Sequence, residues 1–319
     1  MNHKKLRLIV LGSNGQLGRC FADLREEYDK KIEFLLYSRH NLDITNTQDL
    51  QRESSVWAKD ESNYSATIIV NCAAYTAVDK AENEYELCMN TNVTAVEQIA
   101  HIAANKHWGV INFSSDYVFD GTDRLPYKED NPTRPLGVYG KSKLLGEQRL
   151  ALLAIQGRAI TIRTQWLYSS YGNNFIKTML RLSRTHSELR VVEDQIGCLT
   201  YAPSLAQAVL QIALLFVKEA KFRTPLLHLR NRGLCSWYDV AQVAIQLSGN
   251  GSSPQSPIKV HPISTAQYPT AAQRPPYSLL DTTLALTKYG IELEHWFIDL
   301  QVGVEQLKFS SPELFTFLS

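Results

Sequence analysis

The chain has 319 residues, 44% of them hydrophobic and 20% charged, enough for a large core with a second, smaller lobe. A net charge of +1 makes no one-signed field, which argues against nucleic acid or a membrane as the main partner and leaves small molecules. Cys20, Cys72, Cys88, Cys198 and Cys235 are odd in number, widely spaced and never paired as CxxC, so neither a disulfide framework nor a zinc cluster is expected, and a reducing cytoplasm is.

The first apolar block, 6–11, is too short for a signal segment or a spanning helix. It reads instead as a buried strand that runs into Gly12, Gly15 and Gly18, spaced G-x-x-G-x-x-G, and then into a helix over 15–27. Glycine is needed where the chain turns sharply and where backbone approaches a pyrophosphate, and the helix N-terminus offers free N–H groups to the phosphates. Gly12, Asn14, Gly15, Gln16, Leu17 and Gly18 are therefore candidate dinucleotide contacts.

A second strand is expected over 32–37, and its end carries Ser38, Arg39 and His40 where a carboxylate would select a ribose 2′-hydroxyl. A hydroxyl and a guanidinium there favour NADPH, with Arg39 on the 2′-phosphate, and leave room for NADH. Asp43 either meets the adenine end or caps the helix expected over 46–59. A third strand is expected over 67–72. A helix over 82–106 follows, with Glu82, Glu84 and Glu86 read as one solvated face rather than a metal site.

The fourth strand, 109–113, leads into Ser114, Ser115 and Asp116, and the helix expected over 139–155 opens with Tyr139 and Lys143. At i,i+4 the two side chains share a helix face, so the ammonium is expected to lower the phenol pKa and ready it for proton transfer. With a fifth strand over 159–163, strands alternate with helices, which predicts an α/β, Rossmann-type doubly wound parallel sheet whose ligands lie beyond the strand ends. The apolar stretch 205–217, interrupted by Gln207 and Gln211, reads as a core helix, and 248–254 as a surface loop.

Several further runs carry a family resemblance. Thr76-Ala77-Val78-Asp79-Lys80-Ala81-Glu82 and Ser114-Ser115-Asp116-Tyr117-Val118-Phe119-Asp120-Gly121 join Tyr139-Gly140-Lys141-Ser142-Lys143, Gly146-Glu147 and Arg163-Thr164-Gln165-Trp166-Leu167-Tyr168. Asn173-Asn174-Phe175, Thr178-Met179-Leu180-Arg181, Asp194-Gln195-Ile196-Gly197, Ser236-Trp237-Tyr238 and Arg274-Pro275 extend the likeness over nearly the whole chain. Together they resemble the dTDP-4-dehydrorhamnose reductases, a family of the extended short-chain dehydrogenase/reductase superfamily.

The resemblance implies NADPH-dependent reduction of the 4-keto group of dTDP-4-dehydro-L-rhamnose to dTDP-L-rhamnose for surface polysaccharide. Tyr139 would be the proton donor, Lys143 would bind the nicotinamide ribose, and Ser115 would polarise the carbonyl. Ala73, Ala74 and Tyr75, which precede Thr76 in the same run, would neighbour the cofactor, and Thr76, Val78, Asp116, Tyr117, Trp166 and Asn174 the substrate. Arg274 would either grip its diphosphate or make a structural ion pair. A cofactor domain of 1–165 plus returning segments about 203–229 is implied, with a substrate lobe of 166–202 and 230–319. Magnesium and a homodimer stay open.

Two positions depart from the family pattern: Ser115 stands where threonine is usual, and Gly197-Cys198-Leu199-Thr200 lacks the usual proline. Other classes also stay open, namely a nucleotide-sugar epimerase or dehydratase of the same superfamily, and a non-catalytic NADP-binding subunit resembling the methionine adenosyltransferase partner.

Overall fold

The computed structural model describes residues 4–249 and 258–315. Most of the loop expected over 248–254 lies outside them. Six strands form one parallel sheet: β1 (Lys5–Leu11), β2 (Ile32–Tyr37), β3 (Tyr64–Asn71), β4 (Gly109–Ser115), β5 (Ala159–Thr164) and β6 (Leu226–His228), in the spatial order β6-β5-β4-β3-β1-β2. This is the doubly wound Rossmann-type arrangement, and the order reverses between β1 and β3. A crevice at such a reversal is where open parallel sheets take ligands.

Burial explains the apolar runs. Every residue of β1 after Lys5 is buried, as is every residue of β4 and β5, because helices cover both faces of the sheet. Helices α1 (Gln16–Asp23), α2 (Thr47–Trp57), α3 (Ala95–Lys106), α4 (Val138–Arg149), α5 (Phe175–Leu182), α6 (Ala202–Glu219), α7 (Trp237–Ser248) and α8 (Trp296–Ser310) are the longer ones. On one face Leu17 and Phe21 of α1 meet Val209 and Phe216 of α6. On the other, Leu50 and Trp57 of α2 lie with Ile99 of α3. A third core, with Ile176, Val240, Trp296 and Leu300, belongs to α5, α7 and α8.

The helix expected over 15–27 breaks at Leu24, where Arg25–Tyr28 starts anew. The single helix expected over 82–106 is instead Val78–Ala81, Tyr85–Met89, a π-turn at Asn90–Thr94 and then α3. Asn92 within that turn explains the irregularity. Its side chain accepts from the Tyr75 N–H at 2.9 Å and donates to the Ser142 hydroxyl at 2.9 Å, tying the end of β3 to α4. π-Turns of this kind recur at functional sites.

Candidate active site

The glycine turn is built for close approach. Gly12 has φ +77°, and a Cβ there would lie 2.6 Å from the Ala73 nitrogen, so any larger residue would push the ends of β1 and β3 apart. Gly15 then caps α1 without a side-chain bond, leaving N–H groups at the helix start for an anion. A cavity of about 300 Å³ opens here, lined by Gly12, Asn14, Gly15, Ala73, Ala74 and Tyr75, with Arg39 and Asp43 at the β2 side. Gly18 packs against the turn, its Cβ position 2.3 Å from the Gly12 carbonyl oxygen.

Two expectations at the β2 end need correction. Ser38 does not line the cavity; it is buried, and its N–H donates to Asn41 Oδ1 at 2.6 Å in a tight turn. Asp43 is not the helix cap. Asn46 caps α2 by accepting from the Gln48 and Asp49 N–H groups at 3.1 and 3.2 Å, because it stands directly before the first helical residue. Asp43 accepts from the Thr45 N–H at 3.0 Å and Arg39 Nε at 3.3 Å. Burial would raise its pKa, but these partners outweigh burial and hold it low.

The catalytic candidates come from β4 and α4. Ser115 ends β4, accepts from the Tyr117 N–H at 3.2 Å, and donates to Asp116 Oδ1 at 2.8 Å. Helix α4 presses on the same loop at Gly140, whose Cβ position lies 2.1 Å from the Tyr117 carbonyl oxygen. That contact sets the Tyr139 and Tyr117 rings edge to face, centroids 5.5 Å apart. Glu82 is not a solvated residue as expected. Its Oε1 accepts from the Val138 N–H at 2.9 Å, placing a carboxylate at the positive end of the helix that carries Tyr139.

A second cavity, of about 580 Å³, brings together Ser115, Asp116, Tyr117, Tyr139 and Lys143. Gln16, Leu17, Thr76, Val78, Trp166 and Asn174 also line it, and it shares Gly15, Cys72 and Ala74 with the first. The two cavities meet at the glycine turn.

Electrostatics overturn one expectation. Burial pushes the Tyr139 phenol above its ordinary pKa, with the Ser115 hydroxyl opposing the rise and Asp116 adding to it. Lys143 does not make the phenol acidic, because removing a phenolate from water costs more than an amine one turn away returns. That amine is itself drawn down to about 8 by burial, against the pull of Glu147. Glu147 is held in turn by Arg163, through Nε at 2.9 Å and Nη2 at 2.7 Å. A phenol that keeps its proton is the form able to give one.

Beyond the end of β5, Trp166 adopts φ +45°, rare for a large side chain, and stacks on Trp237 with centroids 3.7 Å apart. Asn174 caps α5 by accepting from the Lys177 N–H at 3.1 Å and donates to Gln16 Oε1 at 3.0 Å, so it joins α5 to α1. Arg274 lines neither cavity. Its guanidinium grips Asp79, Nη1 to Oδ1 at 3.1 Å and Nη2 to Oδ2 at 2.7 Å, which is the ion pair and not a free anion site.

Sequence reasoning missed Trp237, Phe175 and Gln165 on the cavity wall, and Ser278, which donates to Asp116 Oδ2 at 2.6 Å. None of these contacts leaves a local spacing signal, although Trp237, Phe175 and Gln165 fell within runs that carried the resemblance. In the segment without proline, Leu199 lines the cavity while Cys198 is buried, its thiol on the Asn231 carbonyl at 3.1 Å. Asp194 and Gln195 both bind Thr265, at 2.8 and 3.0 Å. Among the described residues no three His, Cys, Asp or Glu side chains are grouped to hold a metal.

The family model described as the RmlD substrate binding domain matches residues 6–309. The chain belongs to the dTDP-4-dehydrorhamnose reductase family. A curated reductase of that name from Aggregatibacter actinomycetemcomitans is 37% identical over 91% of this chain and 95% of the relative. The crystal structure of a dTDP-4-dehydrorhamnose reductase from Clostridium acetobutylicum is similar with a TM-score of 0.82 and 35% identity, covering 95% of this chain and 99% of that one. A dTDP-4-dehydrorhamnose reductase from Bacillus anthracis, solved with NADP, gives a TM-score of 0.80 at 31% identity over 95% of this chain and 99% of that one. No helix among the described residues is long and apolar enough to cross a membrane.

Proposed function

We propose that this chain reduces the 4-keto group of dTDP-4-dehydro-L-rhamnose to dTDP-L-rhamnose, with NADPH as reductant, for surface polysaccharide synthesis. One observation carries the reading: Ser115, Tyr139 and Lys143 face one cavity that begins at the glycine turn. The residues present fit a dinucleotide, since the turn at Gly12 admits no Cβ and the start of α1 carries no side-chain cap.

NADPH, when bound, supplies the hydride. Negative charge then develops on the substrate carbonyl oxygen, and the site must donate hydrogen bonds and finally a proton to it. Tyr139, protonated because its surroundings disfavour the phenolate, is the proton donor. Ser115 steadies the oxygen. Lys143 would hold the nicotinamide ribose, close enough to Tyr139 along α4 to replace the departing proton. Trp166 and Trp237 form an apolar shelf that keeps water from one side of the sugar.

Arg39 and Asp43 share the adenosine end of the groove. Arg39 is free enough in solvent to turn onto a 2′-phosphate, which supports a preference for NADPH, while Asp43 supports acceptance of NADH. Five free cysteines suit a reducing cytoplasm.

Incubation with NADPH and the ketosugar tests the assignment. Loss of reduced-nicotinamide absorbance in step with formation of a rhamnosyl nucleotide is the expected result. Sugar conversion without net oxidation of NADPH would assign an epimerase or dehydratase, and tight NADPH binding without conversion would assign a binding subunit.

A further inference from the structure

We propose that Ser278, supplied by the second lobe, is a positioning residue for the reduction: acting through Asp116, it sets the direction in which the Ser115 hydroxyl hydrogen points. The inference rests on the reductase reading and deepens it.

Ser115 has one hydrogen to give. In this structure the hydroxyl donates to Asp116 Oδ1 at 2.8 Å. Asp116 is 1% exposed, and its second oxygen accepts from the Ser278 hydroxyl at 2.6 Å. Ser278 is fixed in place. It is 2% exposed, its N–H donates to the Ile196 carbonyl at 2.9 Å, and nearby the Leu280 N–H donates to Gln165 Oε1 at 3.0 Å.

An ionised Asp116 therefore holds the Ser115 hydrogen away from a ketone. A neutral Asp116 reverses the bond. Because Ser278 already donates to Oδ2, the acid proton is placed on Oδ1, which faces Ser115 Oγ. Oδ1–H then donates to Ser115, whose second lone pair takes the Tyr117 N–H at 3.2 Å. Both acceptor sites of Ser115 are filled, and its own hydrogen turns to the cavity, where Tyr139 stands and the substrate carbonyl would lie.

The neutral form is within reach. Burial pushes Asp116 up to about 6, against the opposing bonds from Ser278 and Ser115. The charged neighbours leave it alone. Arg274 and Asp79, beside Tyr117, pair with each other, and Lys143 on α4 has Glu147 as its charged partner. Tyr117 and Tyr139, the titratable groups facing Asp116 from its own loop and from α4, are both held protonated by burial.

The test is the pH dependence of kcat/KM, which reports the free enzyme, for wild type, Ser278→Ala, Ser278→Thr and Asp116→Asn. Wild-type turnover of the ketosugar comes first, so that its absence strikes the reductase reading and not this one. Wild type should lose kcat/KM above about pH 6, approaching tenfold per pH unit. Ser278→Ala removes a donor that favours the carboxylate, so its falling limb should move to higher pH; Ser278→Thr keeps the hydroxyl and should leave the limb in place.

Asp116→Asn presents a permanent N–H to Ser115, and its profile should lack the limb. NADPH affinity and circular dichroism monitor folding; if Ser278→Ala does not fold, Asp116→Asn decides alone. A Ser278→Ala limb superimposable on wild type, an Asp116→Asn profile that keeps the limb, or an Asp116→Asn chain without turnover at any pH would overturn the assignment.

Discussion

Arg274 closes a two-pronged ion pair on Asp79, 2.7 and 3.1 Å between nitrogen and oxygen, and so latches the segment after Ile263 to the short helix Val78–Ala81 that follows β3. Asp79 also accepts from the Ala272 N–H at 3.1 Å, and its carboxyl is held below the usual range chiefly by Arg274. The side chains are 21% and 44% exposed, so water screens much of the attraction. A double-mutant cycle of Arg274→Ala and Asp79→Ala in urea should give a coupling of about 1 kcal/mol. No coupling, together with a large rise in substrate KM for Arg274→Ala, would return Arg274 to the diphosphate.

Tyr139→Phe removes one oxygen and leaves the ring packed on Tyr117. Turnover should fall by about 10²–10⁴, the usual loss with a general acid, while the NADPH dissociation constant measured by fluorescence stays within error. A variant that keeps its turnover would remove the phenol from the chemistry.

Gly140→Ala should be costly although alanine favours helices. The new methyl would meet the Tyr117 carbonyl at 2.1 Å, so α4 must shift away from the loop holding Ser115. A loss of about 1–3 kcal/mol in denaturant unfolding is expected from such overpacking, with turnover falling more than NADPH binding.

Lys143 gives a signed pH effect on stability. Its folded pKa, about 8, lies below the ordinary 10.5, so the folded state carries a penalty for the ammonium at all lower pH. That penalty fades as pH rises through about 8 and is gone near the unfolded value. Relative to Lys143→Met, wild type should therefore gain stability between these two values, by at most about 1.4 kcal/mol per pH unit. A difference between the two proteins that does not change with pH would contradict the desolvated amine.

Arg39→Ala should raise KM for NADPH roughly tenfold, as loss of about 1.4 kcal/mol from a solvent-exposed phosphate contact would, and leave KM for NADH nearly unchanged. Equal effects on both cofactors would move Arg39 out of the 2′ subsite.

Much of the fold was legible because the information is local. The run from Leu6 to Leu11 is apolar apart from Arg7 and does not alternate, as strands buried on both faces require. Gly12 announces a positive φ, and Lys143 follows Tyr139 by four positions, one turn along any helix. The π-turn at Asn90–Thr94 was not legible. It exists because Asn92 has partners at Tyr75 and Ser142, and nothing in the helical pattern of 82–106 betrays them.

The sequence by itself determined which residues lie at strand ends and which share a helix face, since both follow from chain geometry over a few residues. Only the tertiary structure decided how those residues behave. Glu82 reads as one of three solvated acids until Val138 is brought to it, and Tyr139 reads as an acidified phenol until packing removes its water. Asp116 is carried above the usual carboxylate range by burial, with Ser278, far along the chain, opposing the rise. Desolvation and long-range hydrogen bonds depend on which surfaces meet, and the spacing of residues along a strand or helix carries no record of that.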